Sequence, residues 1–139
     1  MDITNTQKAY FNAAQAVAST STFRKHNIGC IVVWKHKIIS SGTNSYKTNP
    51  LQKKYNQYRF KEDEGNHYIH AEIDAILPLL DRKDINFSTV SLYIFRSHKN
   101  GDNALARPCK SCMRLIKELG VKHLYYTNEK GYSHEQLLY

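Results

Sequence analysis

Residues 90–95 read Val-Ser-Leu-Tyr-Ile-Phe, a nearly all-apolar stretch of the kind found in a strand buried on both faces. Such a strand needs a layer above the sheet and another below it. Pro108 suits the first turn of a helix, and Gly120 is a good residue to end it. His123 to Thr127 then forms the next strand. Strand, helix and strand over residues 90–127 make a right-handed βαβ unit, and therefore a parallel pair. Upstream, Ile28 to Trp34 is apolar and β-branched, and Lys37 to Ser41 follows a short polar turn, which predicts a β-hairpin. A first helix runs from a cap at Thr6 to about Ser19, with Tyr10, Ala13, Ala14 and Val17 at helical spacing. Another begins near His70, turns Ile73, Ile76 and Leu77 inward, and is kinked or ended by Pro78. The expected architecture is α/β, a sheet with helices on its faces.

The chain has 139 residues, 41% hydrophobic and 23% charged, which is the content of one globular domain spanning residues 1–139. No apolar run approaches the roughly 20 residues that span a bilayer. Gln7, Lys8, Asn12 and Gln15 interrupt any secretory leader, and three cysteines do not make a disulfide framework. A soluble cytoplasmic protein with no membrane partner is expected. The net charge of +8 is unevenly spread: ten Lys or Arg and no acid lie between Asp2 and Glu62. A half-chain this basic attracts phosphate, on a free nucleotide or a polymer, or is simply a solubilising face.

Two motifs open the second and third helices: His70-Ala71-Glu72 and Pro108-Cys109-Lys110-Ser111-Cys112. Cysteines three apart at a helix start share one face, and the helix N-terminus favours the thiolate that a metal needs. His70, Cys109 and Cys112 together are a mixed nitrogen and sulfur set suited to one Zn2+ per chain, with the fourth tetrahedral position left for water. Glu72 is then the carboxylate that moves that water's proton. Chance alone gives about 0.3 H-x-E matches in a chain of this composition but only about 0.001 P-C-x-x-C matches, so the pair is the specific signal.

The pair, in this order and on these helices, resembles the zinc-dependent cytidine/deoxycytidylate deaminase superfamily. The likeness runs through leading helix, hairpin, H-A-E helix, strand, P-C-x-x-C helix and strand. It implies a three-layer α/β/α fold around a mixed sheet, zinc ligands His70, Cys109 and Cys112, and Glu72 as proton shuttle. It also implies that Asn44 contacts the nucleotide sugar and that the backbone around Ala71 helps to fix the base. The family's chemistry is hydrolytic: activated water replaces the exocyclic amine of the base. Members usually form homo-oligomers. Arg107 stands where some relatives carry an acidic or small residue. The last twelve residues, Asn128 to Tyr139, are short for the family's usual fifth strand and final helices.

The expected function is deamination of a cytosine nucleotide, dCMP or CMP, to the uracil form with release of ammonia. Arg96 and Arg107 are candidate substrate contacts. Arg96, His98 and Lys99 either hold a 5′-phosphate or form an exposed loop. One alternative is a deaminase of cytosine or adenine within RNA or single-stranded DNA; another is a zinc-stabilised nucleic-acid-binding module without turnover, in which His67 is a fourth ligand. The basic loop at about residues 42–69 bears on the choice. It lacks periodicity and interleaves Tyr46, Tyr55, Tyr58, Phe60 and Tyr68 with Lys47, Lys53, Lys54, Arg59 and Lys61. Such a loop either stacks bases and holds phosphates or packs its tyrosines on the body. Cys30 is expected in the core, and His26, His36, His98, His123 and His134 at the surface or at strand ends.

Overall fold

The computed structural model describes residues 1–23, 25–58 and 67–138. Its elements are α1 (Asn5–Ala18), β1 (Asn27–Trp34), β2 (Lys37–Thr43), α2 (Pro50–Asn56), α3 (Ala71–Ile76), β3 (Ser91–Ser97), α4 (Lys110–Leu119), β4 (His123–Asn128) and β5 (Gly131–Gln136). The sheet runs β2-β1-β3-β4-β5. Only β3 and β4 pair in parallel; the other neighbours are antiparallel. The α/β class, the hairpin and the parallel βαβ unit of the sequence are all present.

The strands alternate as the pleat requires. Cys30, Val32, Leu92, Ile94 and Leu124 belong to a core shared with α3 and α4. Ile31, Val33, Tyr93 and Phe95 join Phe11, Ala14 and Ala18 of α1 in a second core. The central strands are thus covered on both sides, in three layers.

Two glycines set how closely those layers approach. A Cβ on Gly29 would lie 2.1 Å from the carbonyl oxygen of Ala14 and 2.5 Å from the amide nitrogen of Ala18. One on Gly42 would lie 2.3 Å from the amide nitrogen of Ala75 and 2.6 Å from the carbonyl oxygen of Ala71. Helix α1 rests on bare backbone at the first glycine and α3 at the second. Thr43 N–H donates to Asp74 Oδ2 at 3.0 Å, and Ser40 Oγ donates to the Ala75 carbonyl at 2.6 Å, fixing α3 along β2.

Three sequence expectations are corrected. The cap of α1 is Thr4, not Thr6: Thr4 Oγ1 accepts from Gln7 N–H while Gln7 Oε1 accepts from Thr4 N–H, each at 3.0 Å. Only Thr4 has a glutamine three residues on, as a reciprocal capping box requires. Residues 42–68 are not structureless, because α2 lies inside them, capped by Asn49 and started by Pro50. The chain also has a fifth strand, β5, folded back on β4 through a short turn. Elsewhere Pro78 acts as expected: α3 ends at Ile76 and a single 3-10 turn, Leu77–Leu79, follows.

Replacing Gly42 by alanine forces the added methyl into the backbone of α3. Chemical denaturation of Gly42→Ala should show a loss of about 3 kcal/mol, the upper end of overpacking costs. Gly101→Ala, where nothing lies within 4 Å but φ is +93°, should lose about 1 kcal/mol.

Candidate metal centre and active site

His70 and Cys109 are the residues just before α3 and α4, each in extended backbone at the N-cap position. Their side chains leave the helix axes and turn towards each other. His70 Nδ1 lies 3.4 Å from Cys109 Sγ and 3.3 Å from Cys112 Sγ, and the three donor atoms all fall within 4.8 Å of one another. Tetrahedral zinc with ordinary bond lengths separates a nitrogen and a sulfur ligand by about 3.6 Å. The donor set fits that ion without rearrangement. His67 is not in the cluster: its Nδ1 is 3.0 Å from Asn56 Nδ2.

The thiols are electrostatically prepared. Contact with the Cys112 thiol, then His70 and Ser111, pulls the Cys109 thiol down to about 3 against the burial that opposes ionisation. Cys112 is pushed the other way, well above the ordinary range, by the same contact and by burial. In the metal-free protein the pair therefore carries one negative charge and keeps one proton, which a divalent cation displaces. Ser111, whose Oγ is 3.0 Å from Cys109 Sγ, is a supporting residue that the sequence pattern did not single out.

A cavity of about 360 Å³ opens over this cluster, lined by His70, Cys109, Glu72, Asn44, Arg96 and Arg107 among others. Glu72 is 5% exposed, and burial, opposed by His70 and reinforced by Cys109, pushes its carboxyl up to about 7. Asn44 Oδ1 accepts from Ile28 N–H at 3.0 Å and from Ser21 Oγ at 2.7 Å, while its Nδ2 donates to the His26 carbonyl at 2.9 Å. Ala71 does not line the cavity; its methyl is packed in the core below as the first residue of α3.

Arg96 lies in the wall with its Nη1 3.4 Å from the Leu105 carbonyl oxygen and its buried Nε without a hydrogen-bond partner. The loop after β3 is folded back so that Ala104 N–H bonds the Arg96 carbonyl and Ala106 N–H bonds Thr127. Arg107 is also in the wall, but Glu135 of β5 grips its guanidinium in two bonds, at 2.7 and 3.0 Å. That pairing removes Arg107 as a free cation and ties β5 to the strand of chain leading into Cys109. His98 pairs with Glu129 at 2.9 Å in the exposed part of the loop.

Of the rest of the wall, Tyr46 and Tyr68 belong to the aromatic loop that the sequence singled out, whereas Phe23, Lys25 and His26 were not legible as site residues. Phe23, Lys25, His26, Tyr46 and Tyr68 all line the cavity. Phe23 stacks on Tyr46 with ring centroids 4.6 Å apart, and Tyr68 meets Tyr46 edge-on at 5.2 Å. His26, expected at the surface or at a strand end, stands half-buried immediately before β1 and is held towards its neutral form by burial and by Arg96, His70 and Lys25. His123 and His134, expected at the surface or at strand ends, face each other across β4 and β5 at 2.9 Å. Arg59, Phe60 and Lys61 of the basic loop lie outside the described residues. Its Tyr55 turns away from the cavity, buried with its hydroxyl on Glu118.

The family model for the cytidine and deoxycytidylate deaminase zinc-binding region matches residues 4–128. No curated protein sequence matches the chain. Among solved structures, the fold is similar to that of the dCMP deaminase of cyanophage S-TIM5, at 21% identity over 91% of this chain and 86% of that one, with a TM-score of 0.61. It is similar also to the cytidine deaminases of Burkholderia pseudomallei (16% identity, 96% and 93% covered, TM-score 0.65) and Mycobacterium leprae (19%, 95% and 94%, 0.58). At these identities the likeness is one of fold.

Glu72 predicts a pH signature in the metal-free protein. Its carboxyl sits at about 7 in the folded chain against 4.5 as a free group. Below 4.5 both folded and unfolded chains hold the proton; between 4.5 and 7 the folded chain keeps it and the unfolded chain does not. The contribution of Glu72 to stability therefore falls as pH rises through that window, by on the order of 3 kcal/mol in all, while Cys109, with its thiol at about 3, contributes a rise over the same window. In urea titrations of metal-free protein at several pH values, the stability of wild type relative to Glu72→Gln should fall across this window, the comparison cancelling the opposite slope of Cys109.

Proposed function

The chain belongs to the zinc-dependent cytidine and deoxycytidylate deaminase family, whose chemistry is hydrolytic deamination, and from that membership we propose that its substrate is a cytosine nucleotide, dCMP or CMP. The observation that carries the proposal is the make-up of the one cavity that holds Glu72 and the ligand cluster. Beside an aromatic wall it presents Lys25 and Arg96, neither of which has a carboxylate partner among the described residues. The aromatic wall suits a base, and two cations suit one phosphate. The cyanophage enzyme of similar fold has been solved with dCMP and dUMP.

His70, Cys109 and Cys112 would hold zinc, which as a Lewis acid makes water nucleophilic near neutral pH. Glu72 takes up the protons of the attacking water. One goes to the ring nitrogen next to the reacting carbon and the other to the departing amine, so cytosine plus water becomes uracil plus ammonia. A carboxyl lifted towards 7 by burial is matched to giving and taking protons at neutral pH. Asn44 holds the backbone of His26 and Ile28 at the rim, leaving one N–H of its carboxamide for the sugar. Arg96 and Lys25 take the phosphate. Arg107, already paired with Glu135, orients the loop into Cys109 rather than binding charge.

A second reading has one observation in its favour: the Phe23, Tyr46 and Tyr68 rings at the cavity mouth are suited to stacking a neighbouring base of RNA or single-stranded DNA. Salt separates the two. Binding of one phosphate weakens shallowly with salt, whereas a polymer spanning several phosphates weakens steeply.

The zinc-loaded protein should release ammonia from dCMP, and Glu72→Ala should abolish release while leaving zinc bound. Arg96→Ala should raise KM for dCMP by about 10- to 100-fold, the value of a charged hydrogen bond, and leave KM for cytidine nearly unchanged. An inactive wild type that binds zinc and shows a steep salt dependence with oligonucleotides would overturn the mononucleotide reading.

A further inference from the structure

We infer that Gln52 is a positioning residue for His70, and that α2 is a brace across the two helices that supply the metal ligands rather than part of a substrate-binding loop. The inference rests on the reading of His70 as a ligand. Gln52 is wholly buried, 0% exposed, in a segment otherwise rich in lysine, asparagine and tyrosine. A buried carboxamide left unbonded is costly, so its partners define its role. Its Oε1 accepts the backbone N–H of His70 at 2.9 Å, and its Nε2 donates to Asn56 Oδ1 at 2.7 Å. Asn56 Nδ2 in turn lies 3.0 Å from His67 Nδ1.

His70 precedes the first turn of α3 and makes no side-chain cap of its own. Its amide therefore stands outside the helical ladder, and Gln52 is the group that fixes it. The residue before it is held as well: Ile69 N–H donates to the Lys47 carbonyl at 2.8 Å. On the other side of the His70 Cα, the His70 carbonyl accepts from Asp74 N–H at 3.0 Å, so the backbone is pinned on both sides and the imidazole has only its own two torsions with which to leave the thiols.

The other side of α2 reaches α4, the helix that carries Cys112. Tyr55 Oη donates to Glu118 Oε1 at 2.6 Å, and Arg114 Nε holds the other carboxylate oxygen at 2.8 Å. Arg114 also covers the ring of Tyr58, 4.5 Å from its centroid. One short helix is thus bonded to the residue that supplies the nitrogen ligand and to the helix that supplies a sulfur ligand. Groups that orient a ligand in this way are worth about 10- to 100-fold in metal affinity.

The test is zinc affinity, measured by competition with a chromophoric chelator on the full chain, with no turnover involved. Gln52→Leu should bind zinc about 10- to 100-fold more weakly than wild type, and Gln52→Glu, which keeps an acceptor for the His70 amide, should recover most of that loss. Phe11→Leu, in the core on the far side of the sheet, should lower thermal stability yet hold zinc within about twofold. Should Gln52→Leu fail to fold, Asn56→Ala, which loosens the carboxamide, carries the same expectation in weaker form. Zinc affinity unchanged in a folded Gln52→Leu, or weakened equally in Phe11→Leu, would overturn the brace. His70→Ala guards the premise: if it binds zinc as wild type does, the ligand assignment fails, whereas a silent Gln52→Leu beside a zinc-deficient His70→Ala sinks this inference alone.

Discussion

The absence of a side chain at Gly42 is the constraint on which the active site depends. Helix α3 lies so close to β2 that an added Cβ would fall 2.3 Å from the Ala75 nitrogen, and that contact sets the height at which α3 begins. His70 stands at that beginning and Glu72 in the first turn. Were α3 raised by the thickness of a methyl group, the imidazole would no longer sit 3.3–3.4 Å from both sulfurs. The parallel βαβ unit meets the same requirement from the other side, since the chain after β3 must return through Pro108 to start α4 beside His70. A metal centre assembled from two helix starts can be no more exact than the seating of those helices on the sheet.

The electrostatics follow from that closeness. Glu72 and the two cysteines lie close together: burial and Cys109 raise the cost of charging Glu72, while Cys112 keeps its proton and eases the ionisation of Cys109. Without a metal the result is a proton-rich site: one thiolate, one thiol and a carboxyl lifted towards 7. A divalent cation reverses the balance, since it favours every negative charge around it. Glu72 and Cys112, which resist ionisation beside the Cys109 thiolate, are the groups a cation would ionise, so affinity for the metal and readiness to move protons have a common origin.

The sequence exposed the chemistry better than the scaffolding. H-x-E and P-C-x-x-C were legible because ligand chemistry restricts both residue type and spacing, and the two-faced core was legible in Val90 to Phe95. Helix α2 was hidden because its inward residues are Gln52 and Tyr55, which read as polar loop until the structure shows what they bond. The Asn49-Pro50 pair was the available signal: a cap residue followed by a proline at the first helical position. Lys25 and His26 were hidden for another reason. They reach the cavity only because β1 and β3 pair in one register, a long-range fact that local pattern does not contain. His123 and His134 came together in the same way, through the β4–β5 hairpin.

Charge, too, is allotted by the fold rather than by composition. Ten Lys or Arg precede Glu62, yet the described basic residues of that half are scattered, and Lys25 is the lysine that lines the cavity. Arg107, which belongs to the more acidic half, reaches the wall but is gripped there by Glu135. Tyr55 and Tyr58, which in sequence interleave with lysines as a base-stacking groove would, are engaged with Glu118 and Arg114 on α4. Tyr46 and Tyr68 alone of the described loop tyrosines face the substrate space. What remains around Glu72 and the ligand cluster is an aromatic wall with Lys25 and Arg96, neither of which meets a carboxylate among the described residues.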